Sequence, residues 1–183
     1  MAKRRIKVVC LGECKVGKTA LIKRYCENRF ERRYFKTIGV DYGSKDVKTV
    51  LEEKIIKVIV DVFDLSGDIE YFEIRNEFYS DVQGCLLVYD VSSPRSFKAL
   101  DRWLAEAKQF GMDVNTPVIL CANKTDQKFK QIPEEKGIEY AKKHRISLFE
   151  TSALDGSNVD LMFDHLFTAA LCKLLEKNKT EDG

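Results

Sequence analysis

The stretch Gly12-Glu13-Cys14-Lys15-Val16-Gly17-Lys18-Thr19 sets four residues between two glycines and follows the second with Lys and Thr. That spacing suits a loop wrapped around phosphate oxygens. Glycines let the backbone curl until several N–H groups converge, and a helix starting there adds its positive dipole end. Lys18 supplies an ammonium for the β- and γ-phosphates, and the Thr19 hydroxyl is placed to ligate Mg²⁺. Nucleotide contacts are expected from Gly12, Cys14, Lys15, Val16, Gly17, Lys18, Thr19 and Ala20. The competing reading is a tight strand-to-helix turn that happens to contain a lysine. A β-rich run before the motif (6–12) and a helical pattern after it (18–30) favour phosphate. The Lys15 side chain is expected to face solvent. Cys14, beside Lys15 and Lys18 at a helix N-terminus, is expected to be the thiol most sensitive to electrophiles.

A second group of residues can read a base. Asn123-Lys124-Thr125-Asp126 follows the apolar run 117–122. An Asp126 carboxylate can accept from both N1–H and the exocyclic amine of guanine. Adenine offers neither donor in that arrangement, so this pairing selects guanine by leaving the wrong base unpaired. Asn123 can tie neighbouring loops together, and the Lys124 stem can lie over the base. Thr151-Ser152-Ala153, with Leu154 after it, follows the next short strand and can offer a backbone N–H to the guanine carbonyl. Each tetrapeptide or tripeptide is weak alone; in this order, each behind its own strand, they form a strong combination.

The elements that must hold these loops are legible in the hydrophobic pattern. Strands are expected at 6–12, 45–53, 55–64, 84–91, 117–124 and 147–151, with helices at 18–30, 93–110, 133–144 and 158–177. Alternation of strand and helix predicts an α/β three-layer sandwich of the P-loop NTPase type. Its six-stranded sheet should be mostly parallel, with one antiparallel edge strand near 45–63. A tight connection is expected at Glu52-Glu53-Lys54. The domain should span 5–176, with a polar tail at 177–183.

Composition limits the alternatives. The 183 residues are 44% hydrophobic and 33% charged, which suits a single domain with a sizeable core. A net charge of +2 gives no reason to expect nucleic acid. Basic clusters at Lys3 to Arg5 and Arg29 to Lys36 read as solvated surface. The six cysteines include no CxxC pair, and Cys10, Cys85 and Cys121 sit in apolar runs, as buried reduced thiols would. No apolar run is long enough for a bilayer span, and neither a signal-peptide core nor a prenylation signal is visible. An intracellular, cytoplasmic monomer without a lipid anchor is the expectation.

Across residues 5 to 176 the chain resembles the Ras-superfamily small GTPases, through 12–19, Thr37, Asp64-Leu65-Ser66-Gly67, 123–126 and 151–153. Thr37-Ile38-Gly39-Val40-Asp41-Tyr42 and the segment 78–91 look most like the Rab branch. Within it, 21–30, 38–43 and 75–84 look like the RJL group, some members of which carry a C-terminal J domain; this chain has no His-Pro-Asp tripeptide. The resemblance implies a guanine-nucleotide switch using GTP, GDP and Mg²⁺. It implies that Phe30 packs on guanine, that Tyr34 and Thr37 belong to a first switch, and that Thr37 joins the metal with Thr19 and Asp64. It also implies a Gly67 N–H on the γ-phosphate, a second switch at 68 to about 80, and protein partners on 34–42 and 66–80. Ile38, Gly39, Phe63 and Tyr79 would lie on or beside that surface, with Phe63 partly in the core. The catalytic set implied is Lys18, Thr37, Gly67 and the position after Gly67.

That last position departs from the family, where a Gln orients the attacking water. Asp68 is shorter, negatively charged and only an acceptor when ionised. It cannot donate to a phosphate oxygen while accepting from water, so intrinsic hydrolysis should be slow. The runner-up is a GTP- or GDP-bound scaffold, linked to a chaperone pathway, that barely hydrolyses its nucleotide. A metabolic P-loop kinase would need a lid and a second substrate site, and 123–126 with 151–153 argue against it.

Overall fold

The computed structural model describes residues 4–51 and 54–181. Its sheet has the order β2-β3-β1-β4-β5-β6. The strands are β1 (Arg4–Leu11), β2 (Val40–Leu51), β3 (Lys54–Leu65), β4 (Gly84–Asp90), β5 (Val118–Asn123) and β6 (Ser147–Glu150). Every neighbouring pair is parallel except β2 with β3, so the mixed α/β sheet with one antiparallel edge is as expected. The expected connection at Glu52 and Glu53 lies outside the described residues.

β1 shows why its sequence is apolar on both sides. Ile6, Val8 and Cys10 face one core, with Leu21, Ile22 and Tyr25 of α1 (Lys18–Glu27) and Phe163 and Phe167 of α6 (Val159–Glu181). Val9 and Leu11 face the other, with Trp103 and Leu104 of α4 (Leu100–Gln109) and Ala141 of α5 (Glu134–His144). A parallel strand covered on both faces cannot alternate polar with apolar. Each large side chain buried this way contributes about 1.5–3 kcal/mol of transfer free energy. Leu21 is 0% exposed, so the helix that starts at the phosphate loop is anchored from beneath.

Four local expectations need correction. The amphipathic run 93–110 is two helices, α3 (Pro94–Lys98) and α4, joined at Ala99. Ser93 caps the first, its hydroxyl accepting from the Ser96 N–H at 3.4 Å. β2 begins at Val40, five residues before its apolar pattern becomes legible. A 3₁₀ turn (Ile69–Tyr71) and α2 (Phe72–Asn76) occupy the second loop and are too short to show a period. The last helix continues to Glu181.

The five parallel strands point their C-terminal ends to one edge. Residues 12–19 follow β1, 66–68 follow β3, 124–126 follow β5 and 151–154 follow β6. Ligands of open α/β sheets bind at this edge.

Candidate nucleotide site

A cleft of about 440 Å³ opens there. Its wall includes Cys14, Lys15, Gly17, Lys18, Thr19 and Ala20 from the phosphate loop and α1, and Phe30, Tyr34 and Thr37 from the loop before β2. Gly67 and Lys124 also line it. Gly12 and Val16 lie behind as backbone scaffold. The Gly12 carbonyl accepts from Lys18 Nζ at 2.8 Å, and the Glu13 carbonyl accepts from it at 3.1 Å. Lys18 is 6% exposed, and burial lowers its pKa. Such an ammonium gains when an anionic ligand enters beside it.

The three expected metal ligands meet at one wall. Thr19 and Thr37 hydroxyls are 3.0 Å apart. Both reach Asp64 Oδ2, the Thr37 contact at 3.3 Å. Asp64 is 2% exposed, burial raises its pKa, and its Oδ1 is buried without a hydrogen-bond partner. Two hydroxyls and a desolvated carboxylate with an unsatisfied oxygen are hard donors of the kind Mg²⁺ takes, with phosphate and water filling the rest. The residues therefore fit the ion. Gly67 completes this wall by close approach. A Cβ built there would sit 2.4 Å from the Cys14 amide nitrogen and 2.6 Å from the Gly12 carbonyl oxygen, so no side chain fits.

The base-reading loops are knitted by side chains. Asn123 Nδ2 donates to the Val16 carbonyl at 2.8 Å, and Asn123 Oδ1 accepts from the Thr151 hydroxyl at 3.3 Å and the Ala153 N–H at 3.4 Å. Asn123 thus joins three loops. Gly17, at φ 100°, leaves room for it: a Cβ would lie 2.3 Å from Asn123 Nδ2. Ser152 donates to Asp126 Oδ1 at 2.7 Å, orienting an otherwise exposed carboxylate. Lys124 Nζ is held by Asp90 Oδ2 at 2.5 Å while its stem lines the cleft. Leu154 is 42% exposed at the rim.

Several supporting residues were not anticipated. Arg24 of α1 donates to the Ala153 carbonyl at 2.9 Å and the Leu154 carbonyl at 2.6 Å, fixing the last base-side loop. Glu13 is buried and accepts from Trp103 Nε1 at 3.2 Å and from Arg102, tying the phosphate loop to α4. Arg75 of α2 is 1% exposed. It makes a two-pronged pair with Glu106 of α4, at 2.6 and 2.9 Å, and donates to the Asp68 carbonyl at 2.6 Å and the Ser66 carbonyl at 3.3 Å. The pairings of Arg24 with the last loop, Glu13 with α4 and Arg75 with Glu106 have no spacing signal, because their partners lie far apart in sequence.

Three surface expectations change. Tyr79 is 0% exposed and donates to Glu106 at 2.6 Å, so it belongs to the core rather than the partner-facing surface. Gly39 is buried, whereas Ile38 is 77% exposed. Lys15 is exposed, as expected, and its ammonium sits 5.6 Å from the centre of the Tyr34 ring at the cleft mouth. The basic cluster 29–36 is partly paired: Arg29 with Glu27 and Glu31, and Lys36 with Asp68 and Glu70. Phe63 is partly buried against Phe78, as expected. Asp68 is absent from the cleft wall.

No helix among the described residues is long and apolar enough to cross a membrane. The Ras family matches residues 7–172. Similar proteins include DnaJ homolog subfamily C member 27 of Gallus gallus, 44% identical over 91% of this chain and 62% of that protein. The Rattus norvegicus and Homo sapiens proteins of the same name are 45% and 44% identical, each over 98% of this chain and 67% of the relative. The chain thus spans about two thirds of the length of these relatives. By its phosphate loop, its base-reading loops and these similarities, the chain belongs to the Ras family of small GTPases, among its Rab-like members.

Proposed function

We propose that the protein is a Mg²⁺-dependent guanine-nucleotide switch that hydrolyses GTP slowly. The observation that carries this reading is the meeting of Thr19, Thr37 and Asp64 beside Gly67 and Lys18. Mg²⁺ at Thr19, Thr37 and Asp64 would neutralise charge on the β- and γ-phosphates. Lys18 and the loop N–H groups bind the phosphates, Asp126 and a backbone N–H of the loop after β6 orient guanine, and Phe30 covers it. Thr37 and Gly67 would sense the γ-phosphate, and its loss would release both loops. Residues 34–42 and 66–80 would then offer protein partners a different surface in each state. Exposed Ile38, Tyr42, Ile69 and Ile74 give that surface apolar anchors.

Slow hydrolysis rests on Asp68. Its carboxylate is engaged by the Glu70 N–H and by Lys36, which hold its pKa below the usual carboxylate value, and such a carboxylate is a poor base at neutral pH. Single-turnover hydrolysis on the purified protein tests this. Asp68→Gln is expected to raise the rate by roughly tenfold or more; equal rates would overturn the assignment. The second reading, a nucleotide-holding scaffold connected to chaperones through the role its relatives' DnaJ name suggests, is favoured by the same engaged carboxylate. No measurable turnover in either the unaltered or the Asp68→Gln protein would select it.

A further inference from the structure

Asp68 has a position that needs its own account, because two side-chain and two backbone contacts order it and its carboxylate is engaged by Lys36 and the Glu70 N–H rather than lining the cleft. Oδ1 accepts from the Glu70 N–H at 3.1 Å, capping the 3₁₀ turn. Oδ2 pairs with Lys36 Nζ at 3.0 Å. The Asp68 carbonyl is held by Arg75 at 2.6 Å, and the Asp68 N–H donates to the Ser66 hydroxyl at 3.4 Å. The residue is therefore aimed, with one oxygen left for the first switch.

Lys36 answers from that switch with more than one contact. It also reaches Glu70 Oε2 at 3.0 Å and lies 5.2 Å from the centre of the Tyr71 ring. Three side chains of one turn thus surround a single ammonium. The residue after Lys36 is Thr37, whose hydroxyl stands at Thr19 and Asp64. On its other side the segment is fixed by the Ser66 N–H donating to the Gly39 carbonyl at 2.9 Å and by Val40 opposite Leu65 in the sheet. Thr37 is held between a backbone clamp at Gly39 and an ionic clamp at Lys36. A neutral glutamine at position 68 could supply a hydrogen bond to Lys36 but no charge.

We propose that Lys36 and Asp68 form an ionic latch between the two switches, and that Lys36 is a positioning residue that keeps Thr37 at the metal site in the triphosphate-bound state. The inference rests on the nucleotide-switch reading above. The latch gives Asp68 a task that replaces water positioning: the closed state is held longer while its chemistry is slower. Surface ion pairs are individually weak, so the expected effects are about threefold to fivefold rather than orders of magnitude.

The test is a double-mutant cycle with fluorescent GDP and a fluorescent non-hydrolysable GTP analogue, each with Mg²⁺. Lys36→Met should speed release of the triphosphate analogue about fivefold. Asp68→Asn should speed it about threefold, because Glu70 still holds Lys36. The double variant should release no faster than Lys36→Met alone, since the contact is already lost. Lys36→Arg should stay within about twofold of the unaltered protein. GDP release should change less than about twofold throughout, and the triphosphate effect should shrink at about 1 M salt, where the Debye length falls to about 3 Å. Effects that multiply in the double variant, or that are equal for GDP and the triphosphate analogue, would overturn the latch while leaving the switch reading in place. If the unaltered protein holds neither guanine nucleotide, the switch reading fails and the latch with it.

Discussion

Replacing Arg75 by Met removes a buried guanidinium while keeping much of its stem. Arg75 is 1% exposed and its partner Glu106 side chain 10% exposed, so the pair is screened little by water. Breaking a buried pair from one side costs about 3–5 kcal/mol, because the remaining charge is left without its partner. Glu106 keeps the Tyr79 hydroxyl at 2.6 Å, which places the expected loss near the lower end, about 3 kcal/mol. For a chain of this size each kcal/mol lowers Tm by roughly 2–4 °C, so the melting midpoint should fall by about 6–12 °C. Removing both partners, Arg75→Met with Glu106→Leu, should recover only part of that loss: an apolar pair can substitute for a buried ion pair, but the buried Tyr79 hydroxyl then lacks its acceptor. The Ser66 and Asp68 carbonyls would still lack their donor, so discrimination between GTP and GDP should stay impaired in the double variant. Thermal melting and nucleotide titration on the same samples separate the two effects. An Arg75→Met midpoint within 2 °C of the unaltered protein, or full recovery of discrimination in the double variant, would refute the reasoning.

Other outcomes follow from the same geometry. Asp61 is buried, which alone would raise its pKa, but hydrogen bonds from Arg5, Tyr42 and Ser44 bring it below the usual carboxylate value. A depressed folded-state pKa contributes stability that is present above the unfolded value of roughly 4 and is lost as pH falls through the folded one. Asp61→Asn should therefore flatten the acid side of a Tm-against-pH curve below about pH 4; an unchanged acid limb would contradict the cluster. In nucleotide-free protein, a small alkylating agent followed by peptide mapping should modify Cys14 first, because it lines the cleft while Cys10, Cys85 and Cys121 are buried. Burial also pushes the Cys85 and Cys121 thiols up to about 12. Equal labelling of all six cysteines would refute that order.

The framework of the fold was legible because parallel strands covered on both faces must be continuous apolar runs, and residues 84–89 and 118–122 are. The phosphate loop was legible because its chemistry is local: Gly12, Gly17, Lys18 and Thr19 act within one turn of chain. What remained hidden depends on distance in sequence. Arg75 reads as an ordinary charge until Glu106 is brought beside it, 31 positions away. Arg24 reads as solvated until the carbonyls of Ala153 and Leu154 arrive at its end. The resemblance places Tyr79 on or beside the partner-facing surface, but it carries no information on Glu106, the distant acceptor that holds the Tyr79 hydroxyl in the core. Asp68 is the instructive case. Its charge was visible and argued against water positioning, but its partner Lys36 lies in a basic cluster that composition alone assigns to solvent.

The central claim is Mg²⁺-dependent recognition of guanine by Asp126 and phosphate by the loop at 12–19. Nucleotide-free protein titrated with GDP and with ADP, each in Mg²⁺ and in a chelator, tests it most directly. GDP should bind tightly with Mg²⁺ and distinctly more weakly without it, and ADP should be rejected by about 10⁴-fold, the discrimination expected of a site whose polar groups the wrong base leaves unpaired. Comparable affinity for ADP, or GDP binding indifferent to Mg²⁺, would contradict the account.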